Sequence, residues 1–220
     1  ISIFSQKSYH KSFYNDGSLK EEGWVLNTYE TDYWYSYHQN GKIKNEGRFS
    51  NNLKTGFWKN YNNAGIKISE GNYDNNLKKG YWYFYHPNKE ISEKGWYKNG
   101  LRSRFWNSFH PNKQLKYHEE FKKDKPIGYW ITYHINGEKE SEGLFINGLR
   151  DNYWKFYFDN KKVLKEGRYK NNLPIKYWYF YRKNGVVEKE GHFVNGKKNK
   201  WWLFYDYKGT VNHKCQLKNN

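Results

Sequence analysis

Two columns of ionisable residues invite a chemical reading. His38, His86, His110 and His134 share one phase of a 24-residue period, and Glu22, Glu46, Glu70, Glu142, Glu166 and Glu190 share another. Imidazoles can bind zinc, and paired carboxylates can divide the acid and base work of glycoside hydrolysis. Spacing argues against both. If each period is two strands of a sheet, like positions lie roughly 10 Å apart, at about 4.8 Å per strand. Zinc needs its nitrogen ligands at about 2.0–2.1 Å. Catalytic carboxylates need a separation of about 5–5.5 Å or about 6.5–9.5 Å. The histidines are therefore expected to be hydrogen-bonded or solvated, and the glutamates to pair with Lys or Arg across strands. No Gly-rich phosphate loop opens a helix, and no Ser, Cys or His constellation stands outside the period. The expectation is a protein with no catalytic residue, no cofactor and no metal, and so not an enzyme.

The columns are kept in phase by a tryptophan that returns every 24 residues: Trp34, Trp58, Trp82, Trp106, Trp130, Trp154, Trp178 and Trp202. An aromatic precedes each, from Tyr33 to Trp201, and another follows three residues later, from Tyr37 to Tyr205. A fixed period of this length marks a repeat array. Counting back 24 from Trp34 places His10 in the tryptophan position of a degenerate first repeat. This gives about nine repeats over 9–217, after a lead-in over 1–8 and before a tail over 218–220.

Each repeat reads as two strands. The first runs through the aromatic pair, since aromatics favour pleated, half-buried surfaces. A turn follows, as in Asn40-Gly41 or Asn184-Gly185, where both residues tolerate positive φ. The second strand ends in Glu-Gly-x-aromatic, as in Glu46-Gly47-Arg48-Phe49. In that strand the Gly and the aromatic two residues on share a face. A bare Gly there leaves room for a ring from the adjacent strand, so the Gly and Trp columns are expected to form one contact, with the Glu on the opposite face. The eight tryptophans are thus structural. The fold class is all-β: a single elongated, twisted antiparallel meander of about 17–18 strands built from 24-residue β-hairpin repeats.

The pattern resembles the MORN repeat family in its bacterial variant, with a motif like G-x-W-x-x-Y…E-G-x-Y. The fullest match runs from Gly56-Phe57-Trp58-Lys59-Asn60-Tyr61 through Glu70-Gly71-Asn72-Tyr73. The resemblance implies the same row of hairpins. It also implies a scaffold role, as an antitoxin or immunity-type binder or as an accessory subunit of an envelope-associated assembly. Association with membranes, or with cell-wall glycan as in other Trp-Tyr-rich hairpin repeats, is the alternative.

Leu, Ile, Val and Phe make up just under a fifth of the 220 residues, and the net charge is +17. Without the aromatic period that composition would read as disordered. The charge suits an acidic protein partner, with anionic lipid or glycan as the other candidates. Nucleic acid is disfavoured, because the rings are assigned to the core. No apolar run approaches the roughly 20 residues of a spanning helix. Position 1 is Ile and the chain has no Met. A processed, exported protein, periplasmic or at the cell surface, is expected over a cytoplasmic one.

Two stretches leave the pattern. His86-Pro87-Asn88-Lys89 and His110-Pro111-Asn112-Lys113 replace the Gly turn, and His118-Glu119 stands where Glu-Gly should. A Glu in the Gly column cannot accept an overlying ring, so the sheet is expected to loosen or bend there. The residues His110, Lys116, His118, Lys122, Lys123 and Lys125 are the candidate partner site.

Overall fold

A computed structural model describes residues 6–217, and the chain divides after Arg104 into two compact units. In the first, β1 (Lys7–Phe13), β2 (Leu19–Leu26), β3 (Tyr29–Tyr37), β4 (Ile43–Ser50), β5 (Leu53–Tyr61), β6 (Lys67–Asp74), β7 (Leu77–Tyr85) and β8 (Ile91–Lys98) each pair antiparallel with the next. β9 (Leu101–Phe109) carries the chain across the boundary. In the second, β10 (Leu115–Lys122), β11 (Lys125–Tyr133), β12 (Lys139–Ile146), β13 (Leu149–Tyr157), β14 (Val163–Lys170), β15 (Leu173–Tyr181), β16 (Val187–Val194), β17 (Lys197–Tyr205) and β18 (Val211–Leu217) do the same. Among the described residues the fold is all-β: eighteen antiparallel strands in a meander of β-hairpin repeats, as the period predicts. β1 begins at Lys7, two residues before the expected start of the array; residues 1–5 of the lead-in and the tail over 218–220 lie outside the described residues.

In each unit the core is a row of indoles laid on glycines. Trp34 stands opposite Gly23 in β2 and Gly47 in β4, and Trp178 opposite Gly167 in β14 and Gly191 in β16. A Cβ on Gly23 would lie 2.2 Å from the Trp34 ring, and one on Gly167 would lie 2.3 Å from the Trp178 ring. The ring and the missing side chain are two halves of one contact. The second-strand aromatics close the row edge-on. Phe49 meets Trp58 at 5.0 Å, Phe145 meets Trp154 at 5.0 Å and Tyr169 meets Trp178 at 4.9 Å, all near-perpendicular, the geometry that aromatic quadrupoles favour. Cations lie across the outer side of this face: Lys54 over Trp58, Lys78 over Trp82, Arg150 over Trp154 and Lys198 over Trp202.

A buried indole N–H needs an acceptor, and a bulge supplies it. Gly143 pairs with Trp154 but Leu144 pairs with Asp151, leaving Asn152 and Tyr153 as extra residues in β13. The left-handed residue of the bulge, Asn152 at φ 60, aims the Asp151 carbonyl at Trp154 Nε1, 3.2 Å away, while Leu144 O accepts from the same N–H at 3.1 Å. Trp34 and Trp58 are held in the same way. The left-handed position is Gly56, Gly80 and Gly128 in three repeats but Lys176 and Lys200 in others.

The turns differ from the sequence expectation. Asn40-Gly41 is not a two-residue loop with both φ positive: Gly41 has φ 79, while Asn40 is outside the left-handed region. His38 N donates to Lys42 O and Gly41 N donates to His38 O, which is a wider turn closed by a left-handed residue. Asn40 serves instead as a clamp, its Nδ2 donating to Asn63 O of the next repeat at 2.7 Å. Asn136 and Asn160 do the same for Asp159 O and Lys183 O. The Pro-containing turns keep this geometry, with Lys89 and Lys113 taking the glycine's place at φ 69 and 71. The two-residue loops with both φ positive are the second turns, such as Asn51-Asn52 (φ 49 and 63) and Asn171-Asn172 (φ 50 and 67).

The histidine column is a second clamp. His38, His110 and His134 each donate from Nε2 to the carbonyl of the tyrosine 23 residues on, Tyr61, Tyr133 and Tyr157, at 3.0, 2.7 and 2.9 Å. Tyr14 and Arg182 fill the same place and reach Tyr37 O and Tyr205 O. These hairpins hand a donor to the one that follows, while Asn62 and Phe158 stand in the same column without doing so.

Candidate binding face

The face opposite the indoles carries the glutamate column, as strand alternation requires. Each carboxylate is gripped by tyrosines rather than by a lone cation. Glu46 accepts from Tyr61 Oη at 2.7 Å and Tyr33 Oη at 3.1 Å, and pairs with Lys59 at 3.3 Å. Glu190 accepts from Tyr205 at 2.8 Å and Tyr177 at 3.2 Å. Glu166 accepts from Tyr181 at 2.8 Å and pairs with Lys155 at 3.2 Å. Glu22 takes Tyr37 and Lys11, Glu70 takes Tyr85 and Lys67, and Glu142 takes Tyr157 and Lys139. Lys11, Lys59 and Lys155 are the expected cross-strand partners, whereas Lys67 and Lys139 pair from three residues earlier in the same strand. The phenols fifteen residues downstream were not expected.

The electrostatics follow from the geometry. Burial alone would raise the Glu166 carboxyl, but hydrogen bonds from Tyr181, Tyr153 and Lys155 outweigh it and hold the group below its ordinary value. The phenols move the other way. Burial, the Glu190 charge and the hydrogen bond to it push Tyr177 up to about 12, and burial with the hydrogen bond to Glu190 does the same for Tyr205. The ladder thus holds ionised carboxylates and protonated phenols in fixed places. Tyr181→Phe is expected to cost about 1.5–2 kcal/mol, the worth of a hydrogen bond to a charged acceptor. Because the Glu166 carboxyl is depressed in the fold, its contribution is present above the unfolded value and lost as pH falls through the folded one. Urea midpoints at falling pH should show Tyr181→Phe losing this contribution at a higher pH than wild type; identical acid limbs would mean that Tyr181 does not hold the carboxylate.

What the ladder positions is a row of half-exposed rings. The aromatic before each tryptophan points to this face and stays 39 % exposed at Tyr81, 46 % at Phe57, 59 % at Tyr129, 40 % at Tyr177 and 48 % at Trp201. Within the second unit, Tyr177, Tyr179 and Tyr181 run side by side with centroids 5.3 and 6.4 Å apart. Within the first, Tyr33, Tyr35 and Tyr37 do so at 5.1 and 6.5 Å. The sequence pattern places these rings in phase but assigns them to the core. The signal that separates them is parity: a residue next to a buried Trp in a strand faces the other way.

No family model matches the chain. No curated protein matches it either. Among solved structures it is similar to a Tc holotoxin pore of Photorhabdus luminescens, at 12% identity over 90% of this chain and 13% of that one, with a TM-score of 0.21. It is similar also to TcdB2-TccC3, at 11% identity over 96% of this chain and 12% of that one, with a TM-score of 0.21. The chain spans about an eighth of their length, and a superposition at that level assigns it neither fold nor role.

The residues singled out around His118 are not gathered into one patch. His110 sits in the turn before β10, and Lys122, Lys123 and Lys125 sit around the turn at its other end, where Lys123 (φ 50) and Asp124 (φ 62) form a two-residue loop. Lys116 and His118 share the solvent face of β10, where His118 stacks on Phe105 at 5.0 Å and hydrogen-bonds Asn107. Glu119 turns into the indole face and is buried. Its Oε1 accepts the Ile131 N–H at 2.5 Å, and the backbone ladder between β10 and β11 is interrupted between Tyr117 and Glu120. Burial raises the Glu119 carboxyl to about 7, against a smaller opposing effect of that hydrogen bond. Trp130 stays buried against Phe121 and Tyr117, at 5.2 and 5.4 Å. The Glu is thus accommodated by opening the strand pairing while Trp130 remains in the core.

The chain has no helix long and apolar enough to cross a membrane among the described residues; that says nothing of a β-barrel.

Proposed function

We propose that this chain is a non-enzymatic repeat scaffold, of the MORN-like kind its sequence resembles, that binds a protein partner through the tyrosine face. The observation that supports this reading is the row of half-exposed aromatics held in register by the glutamate ladder. Aromatics on a rigid support lose little entropy on binding and are the residues that anchor protein interfaces. The net charge of +17 favours a partner with an acidic surface. An accessory subunit of an envelope-associated assembly and an antitoxin or immunity-type binder are the two forms the resemblance suggests. The same exposed rings support one other reading, attachment to a cell-wall glycan by stacking; anionic lipid rests on the charge alone.

The test uses a variant carrying Tyr153→Ala, Tyr177→Ala and Trp201→Ala, checked for folding by circular dichroism, beside the wild type. Both are presented to native extract, to insoluble cell-wall polysaccharide and to anionic liposomes, each at low and high salt. A protein captured by wild type and lost by the variant supports the scaffold reading. Polysaccharide binding that persists in salt and needs the rings supports the glycan reading. Equal capture by a folded variant in every arm overturns the assignment of this face.

A further inference from the structure

The indole face is closed by the same residues in repeat after repeat, and at Trp34 three of them are replaced. Where Phe49, Phe145, Tyr169 and Phe193 pack edge-on against the following tryptophan, the first repeat has Val25. Four residues before Trp58, Trp82, Trp154 and Trp202 stand the cations that lie over those rings at 4.2, 4.7, 4.9 and 4.5 Å, but four before Trp34 stands Glu30. Where Lys165 and Lys189 lie over Phe156 and Phe180, the first repeat has Glu21. A ring has become small, and negative charge stands at two positions that are basic in several other repeats, although the Glu21 position is Asn45, Ser69, Glu93 and Ser141 in four repeats and the Glu30 position is Pro126 and Pro174 in two.

The result is a cavity of about 540 Å³ lined by His10, Glu21, Val25, Glu30, Trp34 and Asn52, together with Thr28. It has two carboxylates and no Lys or Arg in its own wall; Lys44 and Lys54 line the adjoining groove, which shares Glu21, Glu30 and Trp34 with it. Neither Glu21 nor Glu30 forms an ion pair among the described residues; Glu21 Oε1 accepts from Ser12 Oγ at 2.9 Å. Burial and the neighbouring Glu21 both raise the Glu30 carboxyl, which His10 and Lys54 partly offset. Lys54 is committed to the next repeat, its Nζ lying 4.2 Å from the Trp58 ring centroid. His10 leans on Trp34 with ring centroids 6.2 Å apart.

We propose that this cavity binds an organic cation, an alkylammonium or guanidinium group held between Glu21 and Glu30 beside Trp34. Over Trp58, Trp82, Trp154 and Trp202 the cation is built in, while Trp130 and Trp178 have Pro126 and Pro174 at that position. Here the sheet provides the indole and the counter-charges but not the cation, and a ligand cation completes the arrangement. A partly desolvated cation gains from both the ring quadrupole and the carboxylates. The same chemistry is offered by a free polyamine and by a Lys or Arg side chain on a polypeptide. The cavity lies on the indole face, so this proposal is independent of the role given to the tyrosine face.

The experiment follows the indole N–H resonances of the full chain by two-dimensional NMR at pH 8 and low salt. The two probes are spermidine and a capped Gly-Lys-Gly peptide. Saturable movement of the Trp34 indole signal is expected, weakened about tenfold in Glu21→Gln or in Glu30→Gln, the worth of one charge-assisted hydrogen bond. Glu30→Lys restores a built-in cation, so it should remain folded, as its thermal midpoint will show, and lose the binding. Response to both probes or to spermidine alone places a free amine in the cavity, and response to the peptide alone places a polypeptide side chain there. The proposal is overturned if neither probe moves the Trp34 signal. It is overturned equally if Trp58 and Trp82 respond as strongly as Trp34, or if Glu30→Lys binds like wild type.

Discussion

Trp178→Ala is expected to lower the stability of the array by about 3–5 kcal/mol, the range for removing a fully buried large ring. The indole is 2 % exposed. It covers Gly167, takes Tyr169 edge-on at 4.9 Å and Phe193 at 6.0 Å, and donates to Arg168 O at 3.2 Å. In a core one ring deep, no second layer can relax into the hole. The companion change is Gly167→Ala, which adds one methyl yet is expected to cost about 1–3 kcal/mol, because its Cβ would stand 2.3 Å from the Trp178 ring. A double-mutant cycle separates this clash from the general cost of altering a strand. Gly167→Ala should be nearly free of cost in a Trp178→Leu background. Urea unfolding of the four proteins reads it, and strict additivity would mean that the glycine is not there for the ring.

Glu119 should make stability depend on pH in a direction opposite to that of the ladder carboxylates. Its carboxyl is buried among Tyr117, Phe121 and Trp130 and sits near 7, well above the unfolded value of 4.5. A raised folded value means that the fold holds the proton more tightly than the unfolded chain does. The stabilisation is therefore complete below about pH 4.5 and is lost as pH rises through about 7. At about 1.4 kcal/mol per pH step, this one group removes about 3 kcal/mol between those limits. Glu119→Gln keeps the size and removes the ionisation, so its advantage over wild type should grow from pH 5 to pH 8. Glu119→Gly should do the same and also reopen the place that every other described glycine of the column gives to its ring. A Glu119→Gln advantage that does not change with pH would refute the buried, titrating carboxyl.

The repeat length, the strand pairs and the Trp–Gly contact are legible in the sequence because they recur in phase. A residue such as Gly47 has one physical reason to appear at every turn of the pattern. The glutamate face is legible by alternation alone. The tyrosine partners of Glu46 and Glu166 were missed because they lie fifteen residues on, in a neighbouring hairpin, where strand geometry must be known before the hydroxyls can be aimed. The sequence records that link only in part: at Lys94, where the acid is lost, the residue fifteen further on is Phe109 rather than Tyr, but at His118, where the acid is also lost, it is still Tyr133. The bulge before each Trp was missed because Lys176 and Lys200 occupy a position that Gly56 and Gly80 would have betrayed. The turn at Asn40 was misjudged because Asn tolerates positive φ but is used there for its side-chain amide. The acidic cavity at Trp34 leaves only three conservative-looking deviations, Val25, Glu30 and Glu21, which gain meaning once the rings and cations of the other repeats are placed.

The side-chain clamps of the first turns point forward, the donors of His38, Asn40, His110, Asn136 and Asn160 reaching carbonyls 23 residues on, while at the second turns the Asn52, Asn76 and Asn172 backbone amides reach back to the carbonyls of Glu30, Lys54 and Arg150. A joint that repeats the same contacts in fixed directions, forward at one turn and backward at the other, makes the 24-residue unit a cassette. Excising or duplicating one whole unit leaves a forward donor facing an equivalent carbonyl, so the cut heals without redesign. Unequal crossing-over within such a coding sequence would then lengthen or shorten the array in quanta while leaving the joints chemically alike.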